Sequence, residues 1–172
     1  KSFQGKFLYP QALAIARFFI EDLTKALPQI QIHVAGSLRR KNELVKDIDL
    51  LIASDGPAPI MKRFLAHPGI NQILMEGEAK SSIITREGIQ IDLRVVPPES
   101  LGPALCHFTG SKEHNTRMRS RALAAGKKLN EYGLYTGEIC EPMATEEEVF
   151  AALGLPFIAP ELREDMGEIA WA

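Results

Sequence analysis

The chain has 172 residues, of which 45% are hydrophobic and 24% are charged, and its formal net charge at pH 7 is −2. This length is sufficient for one ordinary domain or for two small subdomains that share a core. The composition is typical of a soluble globular protein. Because no apolar run approaches the ~20 residues that a membrane span needs, a membrane-spanning protein is excluded.

The cysteines and histidines follow no ligand pattern. Cys106 and Cys140 are far apart and lack metal-ligand spacing, so they predict neither a disulfide framework nor a zinc site. This cysteine content favours a reducing, cytoplasmic environment.

The first half of the sequence alternates helical and strand patterns. Apolar residues recur with the period of a helix from about position 9 to position 27. A second helix is predicted over residues 59–66, and a short irregular or helical turn over 38–45. Strands are predicted over residues 31–35, 46–54, 70–77, 80–86 and 89–96.

The dipeptide Pro97-Pro98 interrupts this pattern, and we predict a boundary there between residues 1–98 and residues 99–172. Ser111 is a good N-cap for one of the helices that follow. In the second part we predict helices over residues 100–108, 112–125 and 145–154, a strand over 128–135, and an irregular tail from 156 onward.

Positive charge is concentrated in one stretch of the second part. The pattern fits a confined contact with an anion, but charge alone favours a solvated amphipathic helix. The residues concerned are Lys112, Arg117, Arg119, Arg121, Lys127 and Lys128.

Two carboxylates occupy alternate positions of a predicted strand. Asp47 and Asp49 share one face, while Ile48 and Leu50 lie on the other. A lone pair of this kind is more often structural than functional. Adjacent carboxylates repel each other, however, and Mg²⁺ takes hard oxygen ligands of this type. Asp92 lies in the middle of another predicted strand and would complete a cation-binding cluster if that strand lies beside the first.

A turn suited to phosphate binding precedes the carboxylates. Gly36 allows the backbone to approach an anion closely, and Ser37 adds a hydroxyl group. The guanidinium groups of Arg39 and Arg40 match phosphate geometry. A lone Gly-Ser pair is only a turn, so the indication depends on its position before the carboxylates.

Two stretches together resemble the family X DNA polymerases. The run Gly36-Ser37-Leu38-Arg39-Arg40, followed by Asp47-Ile48-Asp49, resembles the active-site signature of polymerase β-like nucleotidyltransferases. The runs from His107 to Asn115, from Arg117 to Ser120 and from Lys128 to Tyr135 look like the thumb subdomain of the family, in wording closest to its bacterial and archaeal branch. The resemblance extends from about Leu8 to Glu168.

This resemblance implies an α+β fold, with a nucleotidyltransferase palm of mixed sheet and flanking helices over residues 1–98 and a small α/β thumb over 99–172. It implies a cytoplasmic, monomeric, template-directed DNA polymerase that fills gaps in DNA repair, with a dNTP and gapped or primed duplex DNA as partners. The implied cofactors are two Mg²⁺ ions, with Mn²⁺ as the alternative.

The resemblance also implies roles for individual residues. Asp47 and Asp49 match the aspartates that hold both metal ions, and Asp92 matches the third catalytic aspartate, beside the primer 3′-hydroxyl. The residues implied to bind the dNTP are Gly36, Ser37, Arg40, Phe108, Thr109, Gly110 and Asn115. Arg119 matches a residue that contacts the template strand, and Arg94 and Lys112 are expected to contact DNA.

The chain also departs from the family pattern. His107 stands where vertebrate polymerase β has tyrosine, and we find no helix-hairpin-helix or lyase region before residue 1. The segment from Pro160 to Glu168 resembles the joint to a phosphoesterase (PHP) domain, so we expect a piece of a longer polymerase. Two alternatives are a small nucleotidyltransferase with a non-DNA acceptor and a non-catalytic module that binds DNA ends.

Overall fold

The computed structural model describes residues 5–170, and the chain divides into two units between Val96 and Pro97. The first unit alternates strands and helices. Its elements are β1 (Phe7–Leu8), α1 (Tyr9–Ala26), β2 (Ile32–Ala35), α2 (Gly36–Arg39), β3 (Leu44–Val45), β4 (Asp47–Ala53), α3 (Pro57–Leu65), β5 (Ile70–Glu76), β6 (Lys80–Thr85) and β7 (Gln90–Val96).

Five strands of the first unit form one mixed sheet in the order β2-β4-β7-β6-β5. The central strands β4 and β7 are parallel, and the other neighbouring strands of this sheet are antiparallel. The predicted class, α+β with a mixed sheet and flanking helices, is confirmed.

One face of this sheet is covered by the two longer helices of the unit. Alternate residues of β4 and β7, such as Ile48 and Leu93, are buried in the same core as Phe19 of α1 and Phe64 of α3. Because side chains alternate along a strand, the residues between them lie on the opposite face. That second face carries the polar positions of β4 and β7.

The second unit has its own smaller core. Its elements are α4 (Leu101–Thr109), α5 (Lys112–Ala124), β8 (Lys128–Leu129), β9 (Leu134–Thr136), β10 (Ile139–Glu141) and α6 (Glu146–Ala152), with 3₁₀ turns at Pro98–Ser100 and Pro160–Leu162. The three strands form an antiparallel sheet in the order β10-β9-β8.

The single strand predicted over residues 128–135 is wrong. This segment is a hairpin of β8 and β9, in which the Asn130 side-chain oxygen accepts hydrogen bonds from the backbone N–H groups of Tyr132 and Gly133. Asparagine side chains favour turns through such local bonds. Across residues 5–170, no helix is long and apolar enough to cross a bilayer.

Candidate active site

The three predicted carboxylates lie on adjacent strands. In the parallel pairing of β4 with β7, Asp49 is opposite Asp92, and Asp47 is opposite Gln90. All of these residues occupy the positions that alternate with the buried core residues. The structure therefore brings Asp47, Asp49 and Asp92 together on one face of the sheet. The sequence predicted this for Asp92 only on the condition that its strand lies beside that of Asp47 and Asp49, and this condition is met.

This arrangement disfavours the charged form of two of the carboxylates. Burial raises the pKa of Asp47, and the neighbouring Asp92 raises it further against the opposing influence of Lys46. Burial also raises the pKa of Asp49, although the positive charge of Arg94 partly offsets it. A cation placed among these oxygens would remove the repulsion, so the donor set fits a hard divalent ion such as Mg²⁺.

Two of the carboxylates already accept hydrogen bonds from neighbouring side chains. Arg94 Nη1 donates to Asp49 Oδ1 at 3.1 Å, and Gln90 Nε2 donates to Asp92 Oδ1 at 2.9 Å. Among the described residues, no three acidic, histidine or cysteine side chains form a ready ligand set. Each of these bonds uses one oxygen of its carboxylate, so the other oxygen can still face a cation.

Sequence reasoning did not single out Gln90. Its only local signal is its position two residues before Asp92, which places both side chains on one face of β7. The bond between them depends on side-chain conformation, which no sequence pattern specifies.

The Gly-Ser turn lies directly against the carboxylates. Helix α2 begins at Gly36, whose φ is +64°, and the preceding residue Ala35 pairs with Asp49 across β2 and β4. A Cβ atom on Gly36 would lie 2.5 Å from Asp49 Oδ2. Only glycine therefore fits here, and the turn that carries Ser37 and Arg40 stays next to the acidic cluster.

The residues predicted in the second unit lie around the junction of α4 and α5. Gly110 separates the helices with a φ of +71°, Thr109 is buried, and the ring of Phe108 meets the ring of His107 edge to face. The Ser111 hydroxyl accepts the backbone N–H of His114, which confirms the predicted N-cap of α5.

Asn115 and Arg119 line one small cavity of the second unit. Asn115 Nδ2 donates to the backbone oxygen of His107 at 2.7 Å, which fixes its side chain. The cavity of about 20 Å³ has room for a water molecule but not for a nucleotide base. The other lining residues are Pro103, Cys106, His107, Met118, Leu129 and Asn130.

The chain matches known proteins across both units. A family model described as DNA polymerase beta thumb matches residues 104–164. The DNA polymerase/3′-5′ exonuclease PolX of Bacillus subtilis is 41% identical over 162 residues, which cover 92% of this chain but 28% of that protein. The repair DNA polymerase X of African swine fever virus is 31% identical over 137 residues, which cover 74% of this chain and 78% of the viral protein.

A solved structure supports the same architecture. The crystal structure of Leishmania infantum polymerase beta, a ternary gap complex, superposes with a TM-score of 0.81 over 92% of this chain and 71% of that one. The sequence identity is 20%, so this likeness concerns the fold, which is the predicted combination of palm and thumb.

Proposed function

The chain belongs to the family X DNA polymerases, and we propose that it catalyses template-directed addition of a deoxynucleoside monophosphate to a primer 3′-hydroxyl. The observation that carries this proposal is the register of β4 and β7, which sets Asp49 opposite Asp92 with Asp47 on the same face. The pKa values of Asp47 and Asp49 are raised by burial and by neighbouring carboxylates, and a divalent cation would relieve this repulsion.

Asp47, Asp49 and Asp92 are the residues that would hold two Mg²⁺ ions, with Mn²⁺ as the alternative. When bound, these ions supply Lewis-acid activation of the primer hydroxyl and neutralise charge on the triphosphate. The protein's own contribution is to place the carboxylates on a rigid, buried pair of strands. Catalysis by positioning and electrostatics needs such rigidity.

The turn at α2 is assigned to the triphosphate. Gly36 permits close approach, Ser37 offers a hydroxyl group, and Arg40 offers a guanidinium. The closeness of Gly36 to Asp49, which leaves no space for a Cβ atom, supports this assignment, because it places the turn beside the carboxylates that would hold the cations of the triphosphate.

The second unit is assigned to the nascent base pair. Phe108, Thr109 and Gly110 would flank the incoming sugar, and Asn115 would reach the minor-groove edge of the incoming base. Acceptors on that edge are common to all base pairs, so a contact there tests geometry rather than sequence.

Three basic residues are assigned to DNA. Lys112 is exposed at the first turn of α5, and Arg119 lies on the same helix. Arg94 donates to Asp49, and we propose that its guanidinium group also contacts DNA. These contacts would be weakened by salt, since binding a phosphate releases counterions.

The wider assignments follow from the family alone. We propose a monomeric cytoplasmic enzyme that fills gaps during DNA repair, with the palm over residues 1–98 and the thumb over residues 99–172. A C-terminal phosphoesterase (PHP) domain and an N-terminal helix-hairpin-helix or lyase region remain proposals for the longer protein, since this chain spans 28% of the Bacillus relative.

The two alternatives are less well supported. A nucleotidyltransferase that modifies a small molecule would not need the thumb that matches over residues 104–164. A non-catalytic module that binds DNA ends would not need half-buried carboxylates that lie beside one another at a cost in free energy.

Single-turnover incorporation into a one-nucleotide-gapped duplex tests the proposal. With Mg²⁺ and the complementary dNTP, Asp92→Asn should be slower than the wild type by at least about 100-fold, because a metal ligand supports several kcal/mol of transition-state stabilisation. The control is Asp55→Asn, which alters an exposed carboxylate just beyond β4. Equal rates for Asp92→Asn and the control would contradict the assignment.

A further inference from the structure

The segment that follows the last helix returns to helix α5. The backbone oxygen of Arg163 accepts the N–H of Ser111 at 2.9 Å, and the Arg117 Nε donates to Asp165 at 3.1 Å. Between them, the Nδ1 of His114 lies 2.7 Å from a carboxylate oxygen of Glu168. We name residues 163–168 the brace.

The bond between His114 and Glu168 is buried. The two side chains are 2% and 8% exposed. Burial lowers the pKa of His114, and although burial alone would raise the pKa of Glu168, its hydrogen bonds hold that pKa below the usual value. Because an ionised carboxylate can only accept hydrogen bonds, the Nδ1–H of His114 is the donor in this bond.

Glu168 also shapes the brace itself. Its carboxylate accepts the backbone N–H groups of Asp165 at 3.1 Å and of Met166 at 2.7 Å. One side chain thus closes the turn of the brace and joins that turn to α5. Because the group is buried and ionised, loss of its partners would leave a costly charge.

Arg163 anchors the other end of the brace. Its guanidinium is fully buried, bonds Glu146 at 2.6 Å and the backbone oxygen of Ile158 at 2.9 Å, and lies over the ring of Phe150. Its Nη2 is buried without a hydrogen-bond partner among the described residues. Burial of this donor without a hydrogen-bond acceptor costs free energy.

The brace and the proposed nucleotide contacts use different sides of α5. His114 and Arg117 are three residues apart and lie along one side of the helix, whereas Ser111 is the N-cap and is bonded to the brace through its backbone N–H. Asn115 lies about 100° further round the helix from His114, and Arg119 follows Asn115 by one turn. The helix is thus held on one side and presents its base-pair residues on another.

We propose that Glu168 and Arg163 are positioning residues that fix α5 and, through it, Asn115 for recognition of the incoming nucleotide and Arg119 for contact with the template strand. This inference rests on the proposed function. Asp165 and Glu168 lie beyond residue 164, where the match to the thumb family model ends, so the general thumb pattern does not account for them.

The test is steady-state incorporation by Glu168→Ala on the one-nucleotide-gapped duplex. Loss of Glu168 should misplace Asn115, which is assigned to nucleotide binding and not to the chemical step. The KM for the dNTP should therefore rise about 10-fold while kcat changes less than about 2-fold. Glu168→Gln, which keeps an acceptor oxygen, should recover part of the loss. The control is Glu138→Ala, an exposed carboxylate in the same unit.

Amide hydrogen exchange tests the effect of the brace on α5 without an incorporation assay. The amides of α5 around Asn115 should exchange faster in Glu168→Ala and in His114→Phe, which keeps an aromatic ring of similar volume, than in Glu138→Ala. Unchanged hydrogen exchange together with an unchanged KM would contradict the proposal that the brace positions α5. If the wild type incorporates no dNTP but exchange in Glu168→Ala and His114→Phe is faster as expected, the proposed function is contradicted and the effect of the brace on α5 is supported.

Discussion

Position 36 requires glycine for two reasons, the backbone conformation there and the closeness of the Asp49 side chain. Its φ of +64° is a region that other residues rarely adopt, and its missing Cβ leaves room for Asp49 Oδ2. The sequence indicated a glycine at which an anion can approach. The structure adds that the same glycine lets a carboxylate pack against the turn.

Gly36→Ala should reduce both stability and activity. The left-handed conformation costs about 1–3 kcal/mol for a residue with a side chain, and the new methyl group would displace Asp49. Incorporation should slow by at least about 10-fold, since a displaced metal ligand loses its geometry. Gly126→Ala is the matched control, because Gly126 has a φ of +75° and open space around its Cβ position. Equal incorporation by the two variants would contradict a steric conflict between a side chain at position 36 and Asp49.

Asp47→Asn should stabilise the metal-free protein at neutral pH. The pKa of Asp47 is raised from its ordinary 3.8, so the folded state binds its proton more tightly than the unfolded state does. The ionised group therefore destabilises the fold above the raised pKa, and this effect vanishes as the pH falls below 3.8.

Urea unfolding in the presence of a chelator measures this effect. The free energy of unfolding of Asp47→Asn should exceed that of the wild type at pH 7, and the gap should shrink toward pH 4. Mg²⁺ should then stabilise the wild type more than the variant. A variant less stable than the metal-free wild type at pH 7 would refute the proposed repulsion.

Among the elements, β4 and β7 were well predicted by alternation, but their pairing was not. Alternate apolar positions assigned the residues of β7 to their faces, but in β4 they did so only for residues 47–50, before a continuous apolar run. Their parallel register joins residues more than forty positions apart, such as Asp49 and Asp92, and depends on the whole sheet. For this reason the third carboxylate was only a conditional prediction.

Short elements were predicted least well. The strands β1 and β3 have two residues each, and β10 has three, so no periodic pattern can distinguish them. The hairpin of β8 and β9 was missed because its turn depends on the side chain of Asn130. The contacts of the brace were not predictable either, since they join residues such as His114 and Glu168 across the second unit.

Ile48→Ala tests whether β4 is held by its apolar face. Ile48 lies between Asp47 and Asp49 in the sequence but is fully buried on the opposite face of β4. Its loss should therefore lower the free energy of unfolding by roughly 2–5 kcal/mol. Ile48→Val should cost only about 0.5–1.5 kcal/mol. The control is Ile73→Ala on the edge strand β5, where the side chain is 44% exposed. Losses of equal size for Ile48→Ala and Ile73→Ala in urea unfolding would contradict the assignment of faces.

The whole molecule divides its proposed task between two units, each with its own core. The first unit contains the carboxylates and the turn at α2, and the second contains α5 with Asn115 and Arg119. The net charge of −2 gave no indication of a DNA substrate. The motifs gave that indication, because the charge that matters for DNA is local.

The most direct test of the proposed polymerase is whether the template base selects the nucleotide. Four one-nucleotide-gapped duplexes that differ only in the base opposite the gap are each given the four dNTPs singly, with Mg²⁺ and the 172-residue chain. We predict that the complementary dNTP is inserted fastest on every duplex, and that Asp92→Asn abolishes this pattern. Insertion of one dNTP regardless of the template base, or no insertion at all, would contradict a template-directed polymerase.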